Sequence, residues 1–285
     1  MLKSKPHPLG RYLRHPLFKS SAFLGAVSAF LPGGSILAYS HFIETRRLEI
    51  VRMRVPIRGL TAPVRLMHIS DAHLIRHDRW HLAMFKKIAE LSCDLLVMTG
   101  DLVLPGFDLA NVRAMLRLLP NAPLGRYMVP GNWEYWAGLQ GDMLRALASD
   151  TGFHLLLNTF HELPRRLVIG GTDSELGGTP DVEGLLSGLP SDRPAIILTH
   201  CPSTFRLLDT PPVQLVLAGH THGGQIRLPP FGALWLPTGT GKYDMGWFQG
   251  RYARLYVNRG FGTSLARLRL FCRPEVSIFE LHPAH

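Results

Sequence analysis

From Val64 onward, short apolar runs alternate with amphipathic stretches of helical period, the pattern of an α/β core in which strands and helices take turns. The runs starting at Val64, Asp94, Arg126, Leu167, Ala195 and Pro211 are predicted to be buried strands. Between them, one helix is predicted after Asp78 as cap, with Leu82, Phe85, Ile88, Ala89 and Leu91 on its apolar stripe. A second follows Asp108, carries Leu109, Val112, Leu116 and Leu119 on one face, and stops at Pro120. Met143, Leu144 and Leu147 mark a third, and a glycine-rich loop is expected around Gly177 and Gly178. The last third is strand-like and turn-rich at Arg227-Leu228, Trp235-Leu236, Tyr252 to Val257 and Val276 to Leu281, and is expected to complete a second sheet. No repeat or low-complexity linker divides residues 64–283.

The polar residues that matter come directly after the apolar runs. Asp71 and His73 follow the first, Asp101 the second behind Gly100, and Asn132 the third behind Gly131. His200 ends the run that starts at Ala195, and Gly219-His220-Thr221-His222-Gly223-Gly224 follows the next. Residues at i and i+2 of an extended segment point the same way, so each pair, Asp71 with His73 and His220 with His222, is expected to face one pocket. His77 and His81 are read instead as solvated residues on the polar face of their helix.

The donors are oxygens and imidazoles without a thiolate, which suits divalent ions such as Mn²⁺, Fe²⁺ or Zn²⁺. Seven such groups exceed the needs of one ion and suffice for two that share a carboxylate. The three cysteines, Cys93, Cys201 and Cys272, are odd in number and widely spaced, so no disulfide framework is implied, and each is read as a small core residue.

Charge changes the picture in two places. Thirty-one Lys and Arg against 21 Asp and Glu leave the 285-residue chain at +10, which favours anionic partners. The basic residues are scattered without interleaved aromatics, so no nucleic acid is expected. Two basic clusters do flank Ser20 to Ile43, a 24-residue stretch with no Asp, Glu, Lys or Arg. As a helix it would reach about 36 Å, enough for a hydrocarbon core of roughly 30 Å, although Pro32-Gly33-Gly34 breaks its middle. A membrane span, an interfacial anchor and a cleaved signal remain open on this reading. Residues 1–45 are therefore expected to be a membrane-anchor segment that contacts lipid, and 46–285 a catalytic domain. The bacterial inner membrane, on its cytoplasmic face, is the expected location.

The order Asp71-x-His73, Gly100-Asp101, Gly131-Asn132, His200 and Gly219-His220-Thr221-His222 resembles the calcineurin-like metallophosphoesterase family. Gly223-Gly224-Gln225 and the run from Asn258-Arg259-Gly260-Phe261-Gly262 to Arg273-Pro274-Glu275 are similar to its membrane-associated bacterial phosphodiesterase branch. The resemblance implies a two-sheet sandwich with helices on both faces. It implies that Asp71, His73, Asp101 and His222 hold one ion and that Asp101, Asn132, His200 and His220 hold the other. It further implies in-line hydrolysis of a phosphoanhydride or phosphodiester by a hydroxide between the two ions, with Asp71, Asp101, Asn132 and His220 as catalytic residues.

One departure bears on the substrate. Where the family usually has a histidine after Gly-Asn, this chain has Trp133, whose indole has one N–H and cannot shuttle a proton at neutral pH. Glu134, which elsewhere orients that histidine, is expected to be a supporting or surface residue. Loss of a general acid penalises alkoxide leaving groups more than phosphate, which points to an anhydride or activated diester. Combined with the amphiphilic amino terminus and the excess positive charge, this names UDP-2,3-diacylglucosamine, a lipid-linked nucleotide of lipid A synthesis cleaved by a pyrophosphatase, as the expected substrate. A broad-specificity membrane-associated phosphodiesterase or phosphatase, and a metal-binding scaffold without catalysis, are the alternatives.

Overall fold

Two mixed six-stranded sheets face one another in this computed structural model, which describes residues 33–76 and 79–284. The first sheet contains β1 (Glu49–Arg58), β2 (Val64–Ile69), β3 (Leu95–Thr99), β4 (Arg126–Val129) and β5 (His154–Leu155). The second contains β6 (Thr159–Leu163), β7 (Leu167–Gly171), β8 (Ala195–Leu198) and β9 (Val213–Ala218). A small hairpin, β10 (Arg227–Leu228) with β11 (Gly232–Ala233), stands apart from both. The strands β12 (Gly246–Gln249) and β13 (Arg254–Val257) extend the second sheet beside β9, and β14 (Glu275–Ala284) lies between β1 and β2 of the first.

Alternation along the strands sorts their side chains into layers. Leu66, Leu95, Val97 and Val129 of the first sheet meet Leu167, Ile169, Ile196, Leu198, Leu215 and Leu217 of the second in one buried cluster. Their neighbours Met67, Ile69, Leu96, Met98 and Met128 turn outward under the helices Arg79–Ala89, Leu109–Leu118 and Gly141–Asp150. On the far side, Val168, Ile197, Val216 and Ala218 pack against the helices Val182–Gly188 and Phe205–Leu208. Each large side chain so buried stabilises the fold by about 2 kcal/mol. The outcome is helix, sheet, sheet, helix, the four-layer α/β sandwich expected. Asp108 caps its helix as expected, its Oδ1 accepting from the N–H of Ala110 and Asn111.

Three expectations are corrected. The tail does not all join the second sheet: β14 runs parallel to β1 and antiparallel to β2, and its Phe279 and Leu281 enter the layer between the sheets. β1 itself escaped the sequence reading because Arg52, Arg54 and Arg58 look like flanking charge; they are the outward half of an alternation whose inward half is Val55 and Ile57. His81 is buried rather than solvated, its Nε2 donating to the carbonyl of Ala72 at 2.9 Å. His77 and the expected cap Asp78 lie outside the described residues.

The membrane reading is also overturned. Among the described residues no helix is long and apolar enough to cross a membrane. Residues 20–32 of the uncharged stretch lie outside them, and the rest is a short helix Gly33–Ala38 followed by the irregular turns Tyr39–Ile43 and Glu44–Arg46. In the described part and just after it, backbone and side-chain groups bind the carboxyl-terminal part of the chain. His41 Nδ1 donates to Arg267 O at 2.8 Å, Ser40 O accepts from Arg269 N at 3.3 Å, and Glu44 Oε1 accepts from Cys272 N at 2.7 Å. Nothing here supports an anchored location on the inner membrane.

Candidate metal centre

The strands β2, β3 and β4 are mutually parallel, as are β7, β8 and β9, and five of the six loops at their carboxyl ends carry the candidate donors to one edge of the sandwich. The chain turns there by an unusual means. Asp71, His73, Asp101, His220 and His222 all have positive φ, from 51 to 72°. Left-handed backbone is uncommon in residues with a Cβ, and it clusters where surrounding structure holds a functional geometry. The i, i+2 rule for extended chain therefore does not apply. His220 and His222 turn into two different clusters, since Thr221 between them is right-handed at φ −78°.

The first cluster gathers Asp101, His200 and His220, with donor atoms within 4.8 Å of one another. His200 Nδ1 lies 2.7 Å from Thr99 O and His220 Nε2 lies 2.7 Å from Thr238 O. A carbonyl only accepts, so both of these nitrogens carry a proton, and the opposite ring nitrogens are the ones that face the centre. Those nitrogens converge with oxygens: His200 Nε2 is 3.0 Å from His220 Nδ1, 3.2 Å from Asn132 Oδ1 and 3.2 Å from Asp101 Oδ2.

The second cluster gathers Asp71, His73 and His222. His73 Nε2 and His222 Nε2 are 2.8 Å apart, and Asp71 Oδ1 lies 3.4 Å from His222 Nε2. Asp101 Oδ2 reaches toward this side too, 3.8 Å from His73 Nε2, and so stands between the clusters. Both oxygens of Asp71 accept from the backbone N–H of His220, at 3.1 and 3.0 Å. All seven groups singled out from the sequence are thus neighbours.

Burial sets the protonation of these groups. It pushes Asp71 up to about 7, with Asp101 adding to the effect. Burial also acts to raise Asp101, yet the adjoining His200, with smaller help from His73 and His220, holds its carboxyl below the usual range. His200 responds in kind: burial works to lower it, but the Asp101 charge and hydrogen bond carry it up to about 9. His73 and His220 are lowered by burial to about 4, and His222 well below its usual value.

So many converging acceptors are an unfavourable arrangement unless protons, such as the one His200 keeps up to about pH 9, or cations lie among them. Carboxylate, amide oxygen and tautomer-fixed imidazole are the donors that borderline divalent ions take. The residues present therefore fit two divalent cations, with Asp101 common to both sites.

Of the two roles expected for Glu134, supporting or surface, it takes the first, and Arg269 joins it as a supporting residue that the sequence did not single out. Glu134 is buried, and its carboxylate accepts from the N–H of Gly131 (2.6 Å), Asp101 (3.0 Å) and Leu102 (2.5 Å), binding the loops after β3 and β4 together. Burial and the Asp101 charge raise it to about 7. Gly131 has no room for a side chain: a Cβ there would stand 2.2 Å from Asp101 Oδ1. Trp133 donates its backbone N–H to Asp101 Oδ1 at 2.9 Å, and its indole packs edge-on against Trp136 and His73.

Arg269 is fully buried, and no carboxylate among the described residues pairs with it. Its guanidinium donates to the carbonyls of Arg259, Gly260, Gly262 and Cys272, and Nη2 lies 3.5 Å from His222 Nδ1. The loop it gathers holds the backbone at Asp71, with Phe261 N donating to Ser70 O and Gly262 N to Asp71 O. An arginine in a leucine-rich tail gave no sequence signal for this.

The calcineurin-like phosphoesterase family profile matches residues 64–224. An uncharacterized metallophosphoesterase of Bacillus subtilis, YkuE, is 33% identical over 251 residues, covering 85% of this chain and 86% of its own. Phosphodiesterase YaeI of Escherichia coli is 31% identical over 275 residues, 91% of this chain and 97% of its own. The UDP-2,3-diacylglucosamine pyrophosphatase LpxG of Chlamydia muridarum is 27% identical over 307 residues, 85% of this chain and 92% of its own.

Proposed function

Because this chain belongs to the calcineurin-like phosphoesterase family and is accordingly a hydrolase, we propose that it cleaves a phosphoanhydride, with UDP-2,3-diacylglucosamine, a lipid A precursor, as the substrate. The observation that carries the reaction class is the convergence of seven buried donors on two positions that share Asp101. Divalent cations held there, with Mn²⁺ the first to test, supply Lewis acidity that makes water a nucleophile at neutral pH and neutralises charge on the transferring phosphoryl group.

Asp71, His73 and His222 with Asp101 are the ligands on one side, and Asn132, His200 and His220 with Asp101 on the other. Thr99 O and Thr238 O hold the His200 and His220 rings in the ligating tautomer. The amide of Trp133 and the Glu134 carboxylate fix Asp101 and the loop that carries Asn132. No covalent nucleophile is required of the protein.

Trp133 carries the choice of substrate. Its indole stands against His73 where the family's proton-donating imidazole would be, and it cannot return a proton to an alkoxide. A nucleoside monophosphate leaves without that help. The distant likeness to a UDP-2,3-diacylglucosamine pyrophosphatase agrees with an anhydride.

The test is an assay of the purified chain with Mn²⁺, reading UMP release from UDP-2,3-diacylglucosamine beside hydrolysis of alkyl and aryl phosphodiesters. UMP release, together with a Trp133→His variant that gains more on alkyl diesters than on the anhydride, is the expected result. Diester cleavage with no UMP release would replace this reading with the second, a broad-specificity phosphodiesterase, which the likeness to YaeI favours.

A further inference from the structure

Six large apolar side chains stand exposed on three segments that lie together beside His222. They are Phe42, Ile43, Leu228, Phe231, Leu265 and Phe271, with Phe231 85% and Phe271 62% accessible. The segments are joined by hydrogen bonds. Arg227 N donates to Leu270 O and Leu270 N to Gln225 O, tying the β10–β11 hairpin to the tail. Gln225 Nε2 donates to Ser264 O, and Ser40 O, His41 and Glu44 bind Arg269, Arg267 and Cys272. The same tail touches the candidate metal centre, for Cys272 Sγ donates to His222 O at 3.1 Å.

Singly exposed leucines need no explanation, but several large apolar groups brought together do. Two of these are presented at a cost. Leu265 and Phe271 have φ of 58 and 52°, a left-handed backbone that bulky residues rarely adopt. Strain of this kind persists where a function requires it.

Charge selects what covers the face. Its three segments, residues 40–47, 225–234 and 264–273, expose Arg46, Arg47 and Arg273 and half-expose Arg267, while Arg227 is paired with Asp244, Arg269 is buried, and their one carboxylate, Glu44, is buried too. A second copy of the same face would bring like charge to like charge about a twofold axis. A ligand with an anionic head and an apolar tail meets both features. The head group reaches a site suited to phosphate, and the tail has an apolar surface beside it.

Resting on the phosphoesterase reading above, we infer that Phe231, Phe271 and their apolar neighbours hold the acyl or alkyl chain of an amphiphilic phosphate whose head group occupies the metal centre. Substrate selection then has two parts: the centre recognises the phosphate, and the apolar face adds affinity in proportion to chain buried.

The experiment compares dodecyl phosphate with ethyl phosphate, both below aggregation, binding to the full chain loaded with Mn²⁺, by calorimetry. Dodecyl phosphate is expected to bind about tenfold or more tightly than ethyl phosphate, and the Phe231→Ser/Phe271→Ser double variant is expected to lose most of that ratio. Both side chains are exposed, so an unchanged melting temperature confirms a folded variant. Equal affinity for the two phosphates, or a ratio untouched in the folded double variant, would overturn the inference. So would a wild-type dimer that the variant dissociates, or tight binding to phosphatidylglycerol vesicles without a chain-length ratio in solution. Binding needs no turnover, so failure of UMP release tells separately against the substrate reading.

Discussion

His200 and His220 each commit one ring nitrogen to a backbone carbonyl, and His73 and His222 do not. On the first side the ring orientations are set before any ion arrives, and Asn132 and Asp101 already point at His200 Nε2. On the second side, His73 Nδ1 has no hydrogen-bond partner among the described residues, and His222 Nδ1 faces the buried Arg269 guanidinium. Rings fixed by a carbonyl lose little freedom on binding, whereas His73 has no such partner, and the positive charge beside His222 repels a cation. The two positions are therefore expected to differ in strength, with the Asn132–His200–His220 side the firmer.

The largest effect should come from the residue that the two sides share. Asp101→Asn keeps the shape of the side chain and removes its charge from both positions, so hydrolysis is expected to fall by about 10³-fold or more, with both ions lost. Metal analysis of the purified variant checks this, and one ion retained at full occupancy would show that Asp101 is not common to the two.

Next in size is the difference between the sides. In a Mn²⁺ titration followed by electron paramagnetic resonance, His222→Ala is expected to retain the tight ion and lose the weak one. His200→Ala is expected to weaken the tight ion by about 10 to 100-fold. Equal losses in the two variants would remove the asymmetry. Arg269→Met addresses its cause. The variant should lose about 3 kcal/mol of stability because several buried carbonyls lose their donor. At the same time the weaker ion should bind more tightly once the guanidinium has gone. Denaturant unfolding and the same titration separate these outcomes, and a weaker second ion would assign Arg269 a purely supporting role.

The same contrast explains what could be read from the sequence. The seven donors were legible because each follows an apolar run, and runs of that kind become parallel strands whose ends must share an edge. Their division between two sides rested on resemblance. Extended geometry sends His220 and His222 the same way, whereas the left-handed backbone separates them, and no residue type announces a positive φ at an aspartate or histidine. Arg269 was hidden, and Glu134 left between a supporting and a surface role, for a related reason. A charged residue in sequence reads as surface, and only the fold shows that backbone N–H groups surround one and carbonyls the other. The stretch Ser20 to Ile43 erred in the opposite sense, since a count of uncharged residues ignores that Ser40 and His41 have partners in the tail.

The smallest effect lies beneath both sides, in His68. Its Nε2 donates to Thr99 Oγ1 at 2.8 Å, Thr99 Oγ1 donates to Ser70 beside Asp71, and the Thr99 carbonyl pins His200. Burial lowers His68 from 6.5 to about 3, so the folded protein keeps this ring neutral where the unfolded chain would protonate it. The stability that results is fully present above pH 6.5 and is lost as pH falls toward 3. Between pH 6.5 and about pH 5 that amounts to about 2 kcal/mol, one and a half pH units at 1.36 kcal/mol each. In metal-free protein, His68→Leu should flatten the acid side of the stability curve by that amount while, in loaded protein, two ions still bind with their order unchanged. A variant with the wild-type slope would mean that His68 takes up its proton in the folded state. A variant that reversed the order of the two ions would mean that their inequality arises from the strand ends below, and not from how the four imidazoles are held.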